Sequence, residues 1–161
     1  MKKTILCGID SSTTNTAVSI YENGEFKSYK LFHLEGGSKW DRLDKMIPIL
    51  TKYLSEIKPD IVCQEDAWKG VNADSDKCLA NLLGAVRTYC LLHNCYYYKM
   101  MPSEWRALIS KEKKGKTREA LKTWAIRKVH ELGYEEVNDD NIAEAILIGK
   151  AYVNFFADKE D

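Results

Sequence analysis

The sequence predicts an α/β layer fold with a mixed sheet, antiparallel on one side and flanked by helices. Three observations predict it. Residues 4–34 carry three apolar or alternating runs in succession, joined by short polar turns, which is the pattern of a meander. Two later apolar runs, 60–66 and 95–102, each follow a segment with helical spacing, the order that builds parallel strands. From Pro102 onward the chain reads as helices alone. At 161 residues it is expected to form one domain, 1–161, long enough for a core without covalent staples.

The elements follow in order. "TILCGID" and "NTAVSIYENG" read as strands around a polar turn, and "EFKSYKLFHL" alternates and is rich in aromatics, so it reads as a third strand. "KWDRLDKMIPILTKYLSEIK" places Trp40, Leu43, Met46, Ile47, Leu50, Leu54 and Ile57 at helical spacing, and Pro59-Asp60 ends it. "DIVCQED" is a short apolar strand. "NADSDKCLANLLGAVRTYCLLHN" is a long helix capped by Asn72 or Asp74. "CYYYKMMP" is a strand closed by Pro102, and "PSEWRALIS" opens a helix with Pro and Ser at its start. "KEKKGKT" interrupts, "TREALKTWAIRKVHEL" resumes the helix, and "NDDNIAEAILIGKAYVNFF" is a last helix apolar enough to be buried. The tail "ADKED" is expected to fray.

Composition excludes some classes. Lys and Arg number 24, as do Asp and Glu, so the chain is formally neutral and its overall charge points to no polyanion. Five cysteines occur without a CxxC pair, and Cys7, Cys63, Cys78 and Cys90 lie in apolar segments. This reads as reduced, buried thiols in a cytoplasmic protein. His33, His93 and His130 lack zinc-ligand spacing with the cysteines. The apolar stretch before Asp10 is too short for a signal peptide, and no run is long enough to span a bilayer.

The acids carry the chemistry. Asp10 ends the first strand and Glu65 ends "DIVCQE", and a carboxylate at the edge of a core is costly unless something pairs with it. Side chains at the carboxyl ends of neighbouring parallel strands converge in one crevice. Asn141 and Glu144 stand three apart at the start of the last helix and so share a face. Clustered carboxylates repel and raise one another's pKa, and a hard divalent cation, Mg²⁺ or Mn²⁺, relieves the conflict. Two such ions can drive phosphodiester hydrolysis. The competing reading of Asn141-x-x-Glu144 is a capping box, and of Asp10 a turn acid.

In these residues the chain resembles the RuvC family of Holliday junction resolvases, within the retroviral-integrase/RNase H superfamily. "GIDSSTTNTAVSI" is similar to that family's first-strand motif and "KPDIVCQEDAW" to its second. "NADSDKCLANLLGAVR" is similar to the long helix that follows. "PSEWRALIS", the basic loop and "NDDNIAEAILIGKAY" resemble phage-encoded members. The resemblance covers nearly the whole chain in order. It implies an RNase H-like five-stranded mixed sheet, Asp10, Glu65 and Glu144 as catalytic metal ligands, two Mg²⁺ or Mn²⁺ ions per site, and a homodimer contact along the long helix. The family has an Asp, sometimes a His, where this chain has Asn141. Against that pattern, either Asn141 is a weak fourth ligand, or the neighbouring Asp140 takes the place, or the second metal site is impaired.

A basic patch is hidden in the neutral total. Lys99, Arg106, Lys111, Lys113, Lys114, Lys116, Arg118, Lys122, Arg127 and Lys128 face only three acids between positions 99 and 128, whereas 131–144 is acidic. The expected DNA contacts are Arg106, Lys111, Lys113, Lys114, Lys116 and Arg118, with Lys69 beside Glu65 and with Trp68, which either stacks on an unpaired base or packs on the core. A solvated helix face is the alternative for the lysines. The candidate dimer contact is the stripe of Leu79, Leu82, Leu83 and Val86.

The expected activity is resolution of four-way or branched DNA by paired metal-dependent hydrolysis, with no nucleotide cofactor and no membrane. Three rivals stand beside it. An actin/hexokinase-type ATPase would use Asp10-Ser-Ser-Thr-Thr to hold phosphate, but this length leaves no room for its second lobe. A flap or general branched-DNA nuclease would share the metal site. A junction-binding protein with an impaired site is the third.

Overall fold

The structure, a computed structural model, describes residues 2–66, 70, 72–157 and 159. Its elements run β1 (Ile5–Ser11), β2 (Asn15–Glu22), β3 (Glu25–His33), α1 (Lys39–Ile57), β4 (Ile61–Glu65), α2 (Ala73–Leu92), β5 (Tyr96–Met100), α3 (Pro102–Ile109), α4 (Arg118–Glu131) and α5 (Asp140–Ala157). Every expected element is present. The sheet has the order β3-β2-β1-β4-β5. The meander β1–β2–β3 is antiparallel, and β1–β4 and β4–β5 are parallel.

Helix boundaries follow local chemistry. Ser38 and Asp41 form a capping box at the start of α1. The helix ends where Lys58 turns left-handed ahead of Pro59. Asn72, rather than Asp74, caps α2 by accepting from the Ser75 N–H at 3.1 Å. Asp139 caps α5, its Oδ1 accepting from Ile142 N–H at 3.0 Å. That places Asn141 and Glu144 inside the helix, so the capping-box reading of those two residues is overturned and the Glu144 carboxylate is left for other work.

Both faces of the sheet are covered, and strand alternation decides which residues go where. Cys7, Ile9 and Val62 point towards α1 and α2, joining Leu43, Met46, Leu50, Leu54, Leu82 and Val86. Leu6 and Cys63 point the other way, into a core with Trp105, Trp124, Val129, Ile146 and Leu147 from α3, α4 and α5. Asp10 and Glu65 have the same parity as Leu6 and Cys63, so both face α5. All five cysteines are free and buried.

The stripe on α2 resolves differently from the dimer expectation. Leu82 and Val86 are fully buried and Leu83 retains only 7 % exposure. Leu82 and Val86 belong to the molecule's own core, whereas Leu79 is half-buried and Leu83 borders a surface pocket. The outward face of α2 carries Ala80 and Gly84 instead, both exposed.

Candidate metal centre and its basic rim

The centre is assembled where β1 and β4 end side by side. Ile9 is paired with Gln64, so the next residue on each strand, Asp10 and Glu65, are neighbours at the carboxyl edge of the sheet. Gln64 itself is fully buried and satisfied: its amide donates to Ser11 Oγ at 2.8 Å and its carbonyl accepts from Tyr97 OH at 2.8 Å. That network ties the two strand ends together behind the acids.

Glu144 arrives on α5, and small residues let it come close. A Cβ on Gly8 would lie 2.6 Å from both Ala145 O and Gly149 N. A Cβ on Gly149 would lie 2.4 Å from the Tyr21 ring. The two glycines therefore permit a helix-to-strand approach that no larger residue allows. Two side chains of β2 grip the helix there: Ser19 Oγ donates to Ala145 O at 2.7 Å and Tyr21 OH to Ile146 O at 2.5 Å. The residue beside these carbonyls is Glu144.

The outcome is a cluster in which one oxygen from each of Asp10, Glu65 and Glu144 lies within 4.8 Å of the others. Burial pushes the Asp10 carboxyl well above its ordinary range, and the neighbouring Glu144, Glu65 and Asp140 carboxylates push it further. Burial and Glu65 raise Glu144 to about 7, with Arg106 opposing. Glu65 is raised by burial as well, against the Trp105 hydrogen bond and Arg106. Three half-buried carboxylates held this close match the hard oxygen donor set of Mg²⁺ or Mn²⁺, whose charge would remove the repulsion.

Cations frame the acids. Arg106 on α3 reaches Glu144 at 3.7 Å, and Lys122 on α4 reaches Asp140 at 3.4 Å. The Arg106 Nε is buried without a hydrogen-bond partner among the described residues. A cleft of ≈ 880 Å³ opens above the triad, bordered on one side by Ser12, Thr14 and Asn15 and on the other by Lys116, Arg118 and Lys122.

Of the expected site residues, Asp10, Glu65 and Glu144 come together. Asp140 and Asn141 line the same cleft, Asp140 being paired with Lys122 and standing outside the close carboxylate cluster. Arg106, Lys116 and Arg118 line the cleft, whereas Lys111 and Lys113 are exposed outside it. Lys114 makes contacts within the protein. Its ammonium donates to Ser110 O at 2.5 Å and lies 5.3 Å from the Trp124 ring centroid, so it clasps the loop to the core. Glu112 of the same loop is held down to about 2 by Arg127, Lys128 and the Trp124 indole. Trp68 and Lys69 lie outside the described residues. Sequence reasoning missed Trp105, whose Nε1 donates to Glu65 Oε2 at 2.6 Å, because no spacing rule links residues 65 and 105.

The pH dependence follows from Glu144. Its carboxyl is raised from 4.5 to about 7, so the favourable contribution of its neutral form is complete below about pH 4.5 and disappears as pH rises through about 7. In the metal-free protein, Glu144→Gln should therefore gain stability relative to the unmodified chain as pH goes from 5 to 8. Thermal melts of both proteins with a chelator present check this, and a gap that does not change with pH would contradict the assigned shift.

No protein-family model and no curated protein matches the chain. Solved structures do. RuvC from T. thermophilus in complex with a Holliday junction substrate superposes with a TM-score of 0.74 at 14% identity, over 97% of this chain and 96% of that one. Another Thermus thermophilus RuvC structure gives 0.72 at 14% identity, over 96% of each chain. The yeast mitochondrial Holliday junction resolvase Ydc2 gives 0.65 at 12% identity, over 98% of this chain and 80% of that one. At such identities the likeness is one of fold, and the chain has the RuvC fold. Among the described residues no helix is long and apolar enough to cross a membrane.

Proposed function

We propose that the chain is a metal-dependent, structure-selective DNA endonuclease that resolves four-way junctions as a homodimer. The observation that carries this reading is the buried triad of Asp10, Glu65 and Glu144 beneath a cleft whose rim is cationic. The RuvC fold, which in the structures above belongs to Holliday junction resolvases, supports it. The triad would hold Mg²⁺ or Mn²⁺, two per site, with Asn141 or Asp140 completing the second position. When bound, the ions lower the pKa of water and stabilise charge on the phosphodiester oxygens. The side chains orient the substrate: Lys116 and Arg118 meet the backbone phosphates, and Arg106, which lines the same cleft, adds positive charge beside the triad. The five reduced thiols fit a cytoplasmic setting.

Cleavage of a synthetic four-way junction in Mg²⁺ or Mn²⁺ tests the activity. Paired cuts on symmetric strands require two sites related by a two-fold axis. Sedimentation of the protein with and without junction DNA decides between a dimeric resolvase and a monomeric nuclease that nicks branched DNA once.

The basic rim gives a separate test. Replacing Lys116 and Arg118 together with Ala should weaken junction binding and reduce the slope of log K against log salt by about 0.9 for every phosphate no longer neutralised. Replacing Lys111 and Lys113, outside the cleft, should have the smaller effect. Equal slopes in both double variants would remove the cleft rim from the DNA path.

A further inference from the structure

We propose that Trp105 is a positioning residue for metal capture: its indole N–H holds the Glu65 carboxylate in the orientation in which it meets Asp10 and Glu144. This rests on the metal reading of the triad.

The geometry is specific. The Trp105 Nε1 donates to Glu65 Oε2 at 2.6 Å. The ring is fully buried and has little freedom to swing away. On one side the Trp124 ring packs against it with centroids 6.2 Å apart. On the other the Arg106 guanidinium lies 4.8 Å from its centroid. The short helix that carries it is anchored at its start, where Met101 N–H donates to Glu104 Oε2 at 2.7 Å and Pro102 sets the first turn.

Two consequences follow for Glu65. A buried indole N–H without its acceptor is costly, so Trp105 and Glu65 hold each other. A carboxylate has about four acceptor positions, and one N–H leaves the remainder for a cation. Hydrogen bonds from beyond the ligands commonly set ligand orientation in metal sites, and removing them weakens metal binding by about 10- to 100-fold. Adjacent residues on one helix thus address two of the three acids, Trp105 reaching Glu65 and Arg106 reaching Glu144. Trp124 supplies an internal comparison. It is buried in the same core, but its Nε1 donates to Glu112 in the basic loop at 2.8 Å, away from the triad.

The test is calorimetric titration of Mn²⁺ into the unmodified protein, Trp105→Phe and Trp124→Phe. Trp105→Phe keeps an aromatic ring and removes the N–H. It should bind Mn²⁺ at least about tenfold more weakly, while Trp124→Phe stays within about twofold. Adding Trp105→Phe to Glu65→Ala, which removes the acceptor, should cause much less further weakening, since the two act through one hydrogen bond. A second readout needs no core substitution. Titrating Mg²⁺ into the unmodified protein should shift the Trp105 indole N–H resonance more than that of Trp124. Wild-type affinity in Trp105→Phe, equal weakening in both Trp variants, or an unmoved Trp105 resonance on metal binding would each overturn the positioning role. An unmodified protein that binds neither Mg²⁺ nor Mn²⁺ would overturn the metal reading itself, and this proposal with it.

Discussion

Asp10→Asn should lose cleavage by at least about a thousandfold, because charge stabilisation worth several kcal/mol disappears with a metal ligand. Junction binding should stay within about tenfold, since phosphate contacts elsewhere carry the affinity. The same substitution should make the metal-free protein more stable at pH 8. Asp10 is held among Glu65, Glu144 and Asp140, and burial together with those charges raises its carboxyl well above the ordinary range. An amide of nearly the same shape removes one charge from that group without emptying space. A buried site that repels itself is a reservoir of instability kept for function. The measurements are a junction cleavage time course and melts in chelator and in Mg²⁺. The unmodified protein should gain stability from Mg²⁺ and the variant should gain far less. Full cleavage by Asp10→Asn would remove Asp10 from the metal site.

Gly8→Ala should be severely destabilising for a substitution of one methyl group. The added carbon would sit 2.6 Å from two backbone atoms of α5 and 2.7 Å from Ser19 Oγ, and the α5 backbone has no rotamer to change. The helix has to retreat, at a cost of about 3 kcal/mol, which is about 10 °C in Tm for a chain of this length. The retreat also carries Glu144 away from Asp10, so metal affinity should fall even where the fold survives. Gly84→Ala is the control. A Cβ there meets nothing within 4 Å, and in a helix the change should be neutral or stabilising by up to about 1 kcal/mol. Opposite signs for the same chemical change would place the effect where β1 meets α5. Equal effects would dismiss it.

Much of the fold and the triad is legible in the sequence, and the parts that are not share a cause. The strands of the meander, the apolar run of β4 and the apolar α5 all leave a signal within one element. Asp10 and Glu65 can be found because each stands at the end of such a strand. Gly8 is silent: a glycine two residues before an acid carries no mark that a helix will lie against it. Trp105 is silent for the same reason, its partner being forty residues away on another element. The stripe on α2 is legible only in part, because helical spacing names a buried face without saying what buries it. Leu82 and Val86 meet their own sheet. Asn141-x-x-Glu144 misleads because Asn138, Asp139 and Asp140 offer competing caps, and the one used is Asp139.

The grip of β2 on α5 joins residues 125 and 126 positions apart. The triad inherits that separation, with Asp10 near one end of the chain and Glu144 near the other. During synthesis the first two acids leave the ribosome long before the helix that bears the third. A chain that has laid down β1, β2 and β4 still lacks the third carboxylate of the cluster. Contacts so distant in sequence form late in folding. The carboxylate cluster is thus complete only once α5 has docked on the sheet, whatever has formed before it.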